Sequence, residues 1–162
     1  MKNTLQFWVL QQLYVILSLA DVREIGDLVL LNKAFSILHP EVEKKEAEQN
    51  ELRKEVEPYV HQNGALHQQA AERREQGKKD DDIVDSMAKN DIKLQEYDQK
   101  LREFQDTVVD FEWPEEVLEP IREIVTEVLK TNGTQSKELT WYRRISATAK
   151  IIEAFDIKDT SL

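Results

Sequence analysis

Apolar residues between positions 27 and 59 recur at alternating intervals of three and four, which is the spacing of a coiled-coil seam. The positions are Leu28, Leu31, Phe35, Leu38, Val42, Leu52, Val56 and Tyr59. Lys45 and Gln49 are polar exceptions, and residues 41–57 are otherwise mostly charged, so the pattern predicts a long helix that needs a partner helix. The heptad phase continues across Pro40, which predicts a kink there rather than a new helix.

A second series with the same spacing follows Asp80-Asp81-Asp82, whose negative charges suit a helix N-terminus. Asn90 is its polar exception. The two series predict antiparallel helices packed as a hairpin. The predicted seam comprises Leu38, Val42, Leu52, Val56, Met87, Leu94, Tyr97, Leu101 and Phe104. The expected rungs are Tyr59 with Ile83, Val56 with Met87, and Val42 with Leu101.

Stop signals separate the two predicted helices. Pro58 and Asn63-Gly64 favour the end of the first helix, and the following residues are poor in apolar side chains other than alanine. We therefore expect the tip of the hairpin near residues 61–82. The predicted organisation is a single domain, 1–162, with a helical base, 1–38 and 104–162, and a projecting hairpin arm, 39–103.

The base is predicted from three further patterns. The apolar stretch from Leu5 to Leu19 indicates a buried amphipathic helix, with a signal peptide or membrane anchor as the alternative. Apolar and acidic residues alternate toward Trp113, which predicts a short extended segment near 107–113. Pro114 then opens one helix. A last helix follows, and its side chains expected to face the core are Leu139, Tyr142, Ile145, Ala149, Ile152 and Phe155. The fold class is therefore mostly α: a long antiparallel coiled-coil-like hairpin on a small helical base.

Composition narrows the classes of partner. The 162 residues include 32 acidic and 22 basic side chains, giving a formal charge of -10, which repels phosphate backbones and argues against direct nucleic-acid binding. The chain has no cysteine, which fits a cytoplasmic location and excludes disulfides and thiolate metal sites. The N-terminal apolar stretch is shorter than the roughly 20 residues that span a bilayer, so no membrane contact is expected.

Little in the sequence indicates catalysis. Glu57 and His61 have the i,i+4 spacing of paired ligands, but Pro58 lies between them and no third ligand follows, so we expect a solvated pair and no metal site. No glycine-rich phosphate loop or nucleophile elbow is present in the sequence. The prediction is a protein that is not an enzyme and uses no cofactor.

Aromatic and arginine residues mark a candidate partner surface. Trp8, Trp141, Arg143 and Arg144 belong to the residue types enriched at interface hot spots, and the two tryptophans lie beside the predicted inward positions. Core packing is the alternative interpretation for both tryptophans.

Two segments carry a resemblance to a known group. With LLNKAFSIL at 30–38, charged heptads to Tyr59, and LREFQDTVVDF at 101–111, the chain resembles small uncharacterised phage and prophage proteins over about residues 5–113. The resemblance is one of layout. It implies a phage-encoded protein made in a bacterial host cytoplasm, and the members of this group have no settled enzymatic activity.

These observations favour a non-enzymatic phage-type protein that acts by protein–protein interaction, in an assembly, accessory or regulatory role. The alternative is a phage-encoded inhibitor of a host enzyme, such as a defence nuclease, that uses its acidic helix faces. A homo-oligomer is a third possibility, because Lys45, Gln49 and Asn90 could set the register between two copies.

Overall fold

The computed structural model describes residues 2–132 and 141–158, except the side chains of residues 132 and 141–145. The elements in chain order are β1 (Lys2–Gln6), α1 (Phe7–Ser18), α2 (Ile25–Glu75), α3 (Asp81–Gln105), β2 (Val108–Glu112), α4 (Glu115–Asn132) and α5 (Trp141–Ala154). The fold is mostly helical, and α2 packs against α3 as the predicted hairpin. The chain divides into a base unit, Met1–Lys45 with Gln105–Leu162, and a hairpin unit, Glu46–Phe104.

The extended segment predicted near 107–113 is strand β2. It pairs antiparallel with β1, with Asn3 opposite Phe111 and Leu5 opposite Val109. All four of these side chains are buried, because alternate residues of a strand point to the same face of a sheet. Strand β1 was not predicted, since the apolar content from Leu5 onward favours a helix.

Helix α1 is the buried helix expected from the N-terminal apolar stretch. Its inward side chains are Phe7, Val9, Leu10, Gln12, Leu13, Ile16 and Leu17. It contacts α4, α5 and both strands, which explains why apolar residues occur on more than one of its faces. Within residues 2–132 and 141–158, no helix has both the length and the apolarity required to cross a bilayer.

The two C-terminal helices form as predicted, but the inward face of α5 was predicted only in part. Phe155 is buried as expected, whereas Ala149 is exposed and Ile152 is half-buried, and the helix buries Ala147 and Ile151 instead. Helix α4 begins directly after Pro114, and α5 buries Ile151 beside the buried Phe155. Leu139, one of the inward positions predicted for the last helix, lies outside the described residues, and so do the side chains of Tyr142 and Ile145.

Helix α2 is longer than the sequence predicted. It continues without a break across Pro40, Pro58 and Gly64 to Glu75. The residues after Gly64 are mainly Ala, Gln, Glu and Arg, which have high helix propensity, and this outweighs the cost of one exposed glycine. The predicted tip at 61–82 is therefore too wide, because most of that segment is helical.

The turn between α2 and α3 occupies only a few residues. The N–H of Lys78 bonds to the carbonyl of Arg73 (2.8 Å), and the N–H of Gly77 bonds to the carbonyl of Arg74 (3.0 Å). This is a Schellman motif, and Gly77 occupies its left-handed position with φ 66°. The side chain of Arg74 then pairs with Asp80 at 2.6 Å, and that of Arg73 pairs with Asp82 at 2.6 Å, which joins the end of α2 to the start of α3.

The hairpin register also differs from the prediction. If Tyr59 faced Ile83, Asn63 would lie beside residues near 79. Asn63 instead bonds to Asn90 and Asp91, each at 2.9 Å, and so the register is displaced by about three helical turns. The predicted rungs are wrong because they were counted from a tip that was placed too early in the chain.

Candidate docking groove on the hairpin unit

A groove of about 700 Å³ lies on one flank of the hairpin unit. Its apolar lining comes from Val56 and Val60 on α2 and from Leu94 and Tyr97 on α3. Charged or polar residues complete it: Arg53, Glu57, His61 and Asp98. An apolar floor with a polar rim is typical of a surface that receives another protein segment.

The groove follows from the position of Val60 relative to the seam. Val60 comes one residue after the seam residue Tyr59, so it lies on the flank of α2 rather than between the helices. Its side chain is 53% exposed, whereas the neighbouring seam residue Val56 is buried. On α3, Val84 stands in the same relation to Ile83 and is also exposed. Apolar side chains at these flanking positions make the apolar face of each helix wider than the area that one partner helix covers.

The other flank of the seam is polar. Lys100 pairs with Glu55 across the two helices at 3.5 Å. A recess of about 480 Å³ further along this flank is lined mainly by polar residues: Gln62, Ala65, Leu66, Gln69, Ser86, Lys89 and Asn90. The apolar groove is therefore specific to the flank that carries Val60.

The structure places the predicted seam residues in three groups. Val56, Leu94 and Tyr97 line the groove. Leu38 and Val42 are buried and belong to the base unit. The remaining members are partly exposed: Leu52, Met87, Leu101 and Phe104.

Several residues of the hairpin were missed by the sequence analysis. Asn63, Leu66 and Ala70 continue the alternating spacing of three and four from Tyr59, and Asn63 and Ala70 are buried. The heptad phase was the available signal, since it remains unbroken where the apolar content falls. Val60 was missed because it lies outside the strict seam positions.

The predicted aromatic surface is only partly described. Trp8 is half-buried, and its indole Nε1 donates to Oε1 of Gln6 at 3.2 Å. The side chains of Trp141, Arg143 and Arg144 lie outside the described residues. The candidate partner surface at these four residues therefore stays a prediction.

Two of the three histidines, His39 and His61, lie beside exposed carboxylates. His61 lies 3.9 Å from Glu57, and both side chains are mostly exposed. His39 lies between the Tyr14 hydroxyl, 3.2 Å from Nδ1, and Glu43, 3.0 Å from Nε2. No group of three or more His, Asp or Glu side chains in the described part of the chain could hold a metal ion. Of these features, the hairpin groove is the one that combines an apolar lining with charged side chains.

Comparisons of the chain with protein-family models, with curated proteins and with solved structures gave no match.

Proposed function

We propose that this chain is a non-enzymatic, phage-type protein that acts by binding another protein, and that a helix of this partner packs into the hairpin groove. The observation that carries the proposal is the exposed Val60 above the apolar floor of Val56, Leu94 and Tyr97. The resemblance in layout to phage and prophage proteins supports the phage-type assignment. The role would be one of assembly, accessory function or regulation.

The chemistry of the rim supports a helix as the occupant. Arg53 and Asp98 carry opposite charges at the groove, and neither forms an ion pair within the described residues. A partner helix with an apolar stripe and charges of both signs beside it would fill the groove and pair with each of them. Covering the exposed half of Val60 would contribute about 1 kcal/mol.

The test uses two matched surface variants, Val60→Glu and Ile92→Glu. The two side chains are similarly exposed, at 53% and 56%, but Ile92 does not line the groove. Tagged wild-type and variant proteins would be used to capture partners from phage-infected host cells, with mass spectrometry to identify them. We expect one specific partner that is retained by Ile92→Glu and reduced about tenfold or more by Val60→Glu, since an unpaired carboxylate would be buried in the interface.

Two results would contradict the proposal. One is a partner captured equally by both variants, and the other is the absence of any partner specific to the wild-type chain. Circular dichroism of the two variants checks that both keep the helical fold. Light scattering at several concentrations checks for self-association, and a dimer lost in Val60→Glu would assign the groove to a second copy instead.

The alternative function is inhibition of a host enzyme by charge mimicry. The acidic faces of the arm support it less well than the hairpin groove supports partner binding. Three of the acids pair with lysines of the same hairpin: Glu51 with Lys54, Glu55 with Lys100, and Glu96 with Lys93. Such pairing reduces the net field that an enzyme would meet. A variant with Glu51 and Glu96 changed to Lys tests this alternative, because charge mimicry predicts that the variant no longer binds the inhibited host enzyme.

A further inference from the structure

A second groove lies within the base unit, between residues 19–27, which include the first turn of α2, and one face of α4. Its volume is about 660 Å³. The apolar lining includes Leu19, Val22, Ile124 and Val128, and Leu19 is 39% exposed although it is a large aliphatic side chain. We refer to it as the α4 groove.

Acidic side chains surround this apolar lining. Asp21, Asp27, Glu123 and Glu127 contribute carboxylates, and Arg23 is the one basic residue of the lining. The guanidinium of Arg23 is already engaged, because its Nε and Nη2 donate to Asp21 at 3.1 and 2.9 Å. The other three carboxylates form no ion pair with any residue that the structure describes. The groove therefore has an excess of negative charge that its own residues leave uncompensated.

The lining of the α4 groove extends along one face of α4. On α4 the lining runs from Pro120 to Thr131 and includes residues one turn apart along a single face, such as Glu123 and Glu127. This face spans three helical turns, which is about 16 Å. A groove of this length matches the apolar face of a docked amphipathic helix, which presents side chains at i, i+3, i+4 and i+7.

We propose that the α4 groove docks an amphipathic helix from a partner protein, with aliphatic side chains on the floor and Lys or Arg beside them. Charge complementarity selects this occupant, because basic residues would pair with Glu123, Glu127 and Asp27 while the apolar stripe covers Leu19 and Val22. The α4 groove is distinct from the hairpin groove, so either proposal can fail without affecting the other.

The probe is a displayed library of random 16-residue peptides selected on the full chain. We expect the enriched peptides to carry net positive charge, with apolar residues at helical spacing. Fluorescence anisotropy of an enriched peptide then compares the wild-type chain with Glu123→Lys/Glu127→Lys. The affinity should fall about tenfold or more in this variant, and it should also fall as salt is raised.

Controls separate the groove from the general charge of the chain. Glu112→Lys/Glu116→Lys makes the same change in net charge at exposed residues outside the groove, and we expect it to bind within about twofold of wild type. A peptide with its Lys and Arg changed to Glu should prefer Glu123→Lys/Glu127→Lys over wild type. Val60→Glu should bind the original peptide normally, so failure of the hairpin proposal leaves this one intact.

Three outcomes would overturn the proposal. They are a library that yields no enriched peptide, enriched peptides without an excess of basic residues, and equal binding to the groove variant and its control.

Discussion

Asn90 donates a hydrogen bond from Nδ2 to Oδ1 of Asn63 across the hairpin, at 2.9 Å. Asn63 is only 9% exposed, and its own Nδ2 donates to Oδ1 of Asp91, also at 2.9 Å. Both asparagines occupy seam positions, where a polar pair fixes the register because any shift would leave an amide buried without a partner. In this register Val56 and Val60 lie beside Leu94 and Tyr97, and these four residues form the apolar lining of the hairpin groove.

The asparagine pair predicts a strongly non-additive stability. Asn63→Leu or Asn90→Leu alone should lower the free energy of unfolding by about 1–3 kcal/mol, because each removes the hydrogen bond between the two asparagines and leaves Nδ2 of Asn90 or Oδ1 of Asn63 without that partner. The double variant should recover most of the loss, since two leucines pack together at the seam. Urea unfolding of the four proteins measures this as a double-mutant cycle. Additive losses would show that the two side chains do not interact.

Two glycines test where α2 ends. Gly64 lies inside the helix, and a methyl group added there would meet no atom within 4 Å, so Gly64→Ala should stabilise by up to about 1 kcal/mol. Gly77 has φ 66°, and Gly77→Ala should destabilise by about 1 kcal/mol. Thermal unfolding of the two variants measures these changes. A destabilising Gly64→Ala would instead indicate the wider tip that the sequence suggested.

The turn predicts a pH dependence of stability. The hydrogen bond from Arg73 lowers the pKa of Asp82, with smaller contributions from the charge of Arg73 and from backbone N–H groups. A carboxyl whose pKa is lower in the folded state stabilises above its unfolded pKa, and this contribution is lost as the pH falls through the folded pKa. Asp82→Asn should therefore lower the urea midpoint at neutral pH and have little effect in acid.

Asp81→Asn is the matched control for this pH effect. Asp81 is also an exposed acid in the first turn of α3, and no ion pair within the described residues involves it. Its substitution should reduce stability less at neutral pH. Equal effects of the two substitutions at every pH would rule out a specific role for the Arg73–Asp82 pair.

The sequence was sufficient to predict the hairpin because heptad spacing reflects the local geometry of one helix. The register could not be obtained in this way, since it depends on where the turn lies. Pro58 and Gly64 resemble stop signals, but the actual stop at Gly77 depends on a left-handed residue and on the pairing of Arg73 and Arg74 with acids of α3.

The other differences between prediction and structure also arise from contacts between segments that are distant in sequence. Strand β1 forms because Val108–Glu112 lies beside it, and this long-range pairing leaves only a weak alternation in the sequence of β1. The groove depends on Val60, whose flanking position becomes informative only once the register is known. The α4 groove likewise brings together residues 19–27 and 120–131, which are distant in sequence.

The central claim is the register that pairs Asn63 with Asn90 and so forms the hairpin groove. The chain has no cysteine, so a disulfide between two engineered cysteines can be detected without interference from native thiols. We predict that Asn63→Cys/Asn90→Cys forms an intramolecular disulfide under mild oxidation, seen as a mobility shift on non-reducing electrophoresis. Tyr59→Cys/Ile83→Cys should not, because its sulfurs would be separated by about three helical turns. A disulfide in the second pair and none in the first would contradict the account.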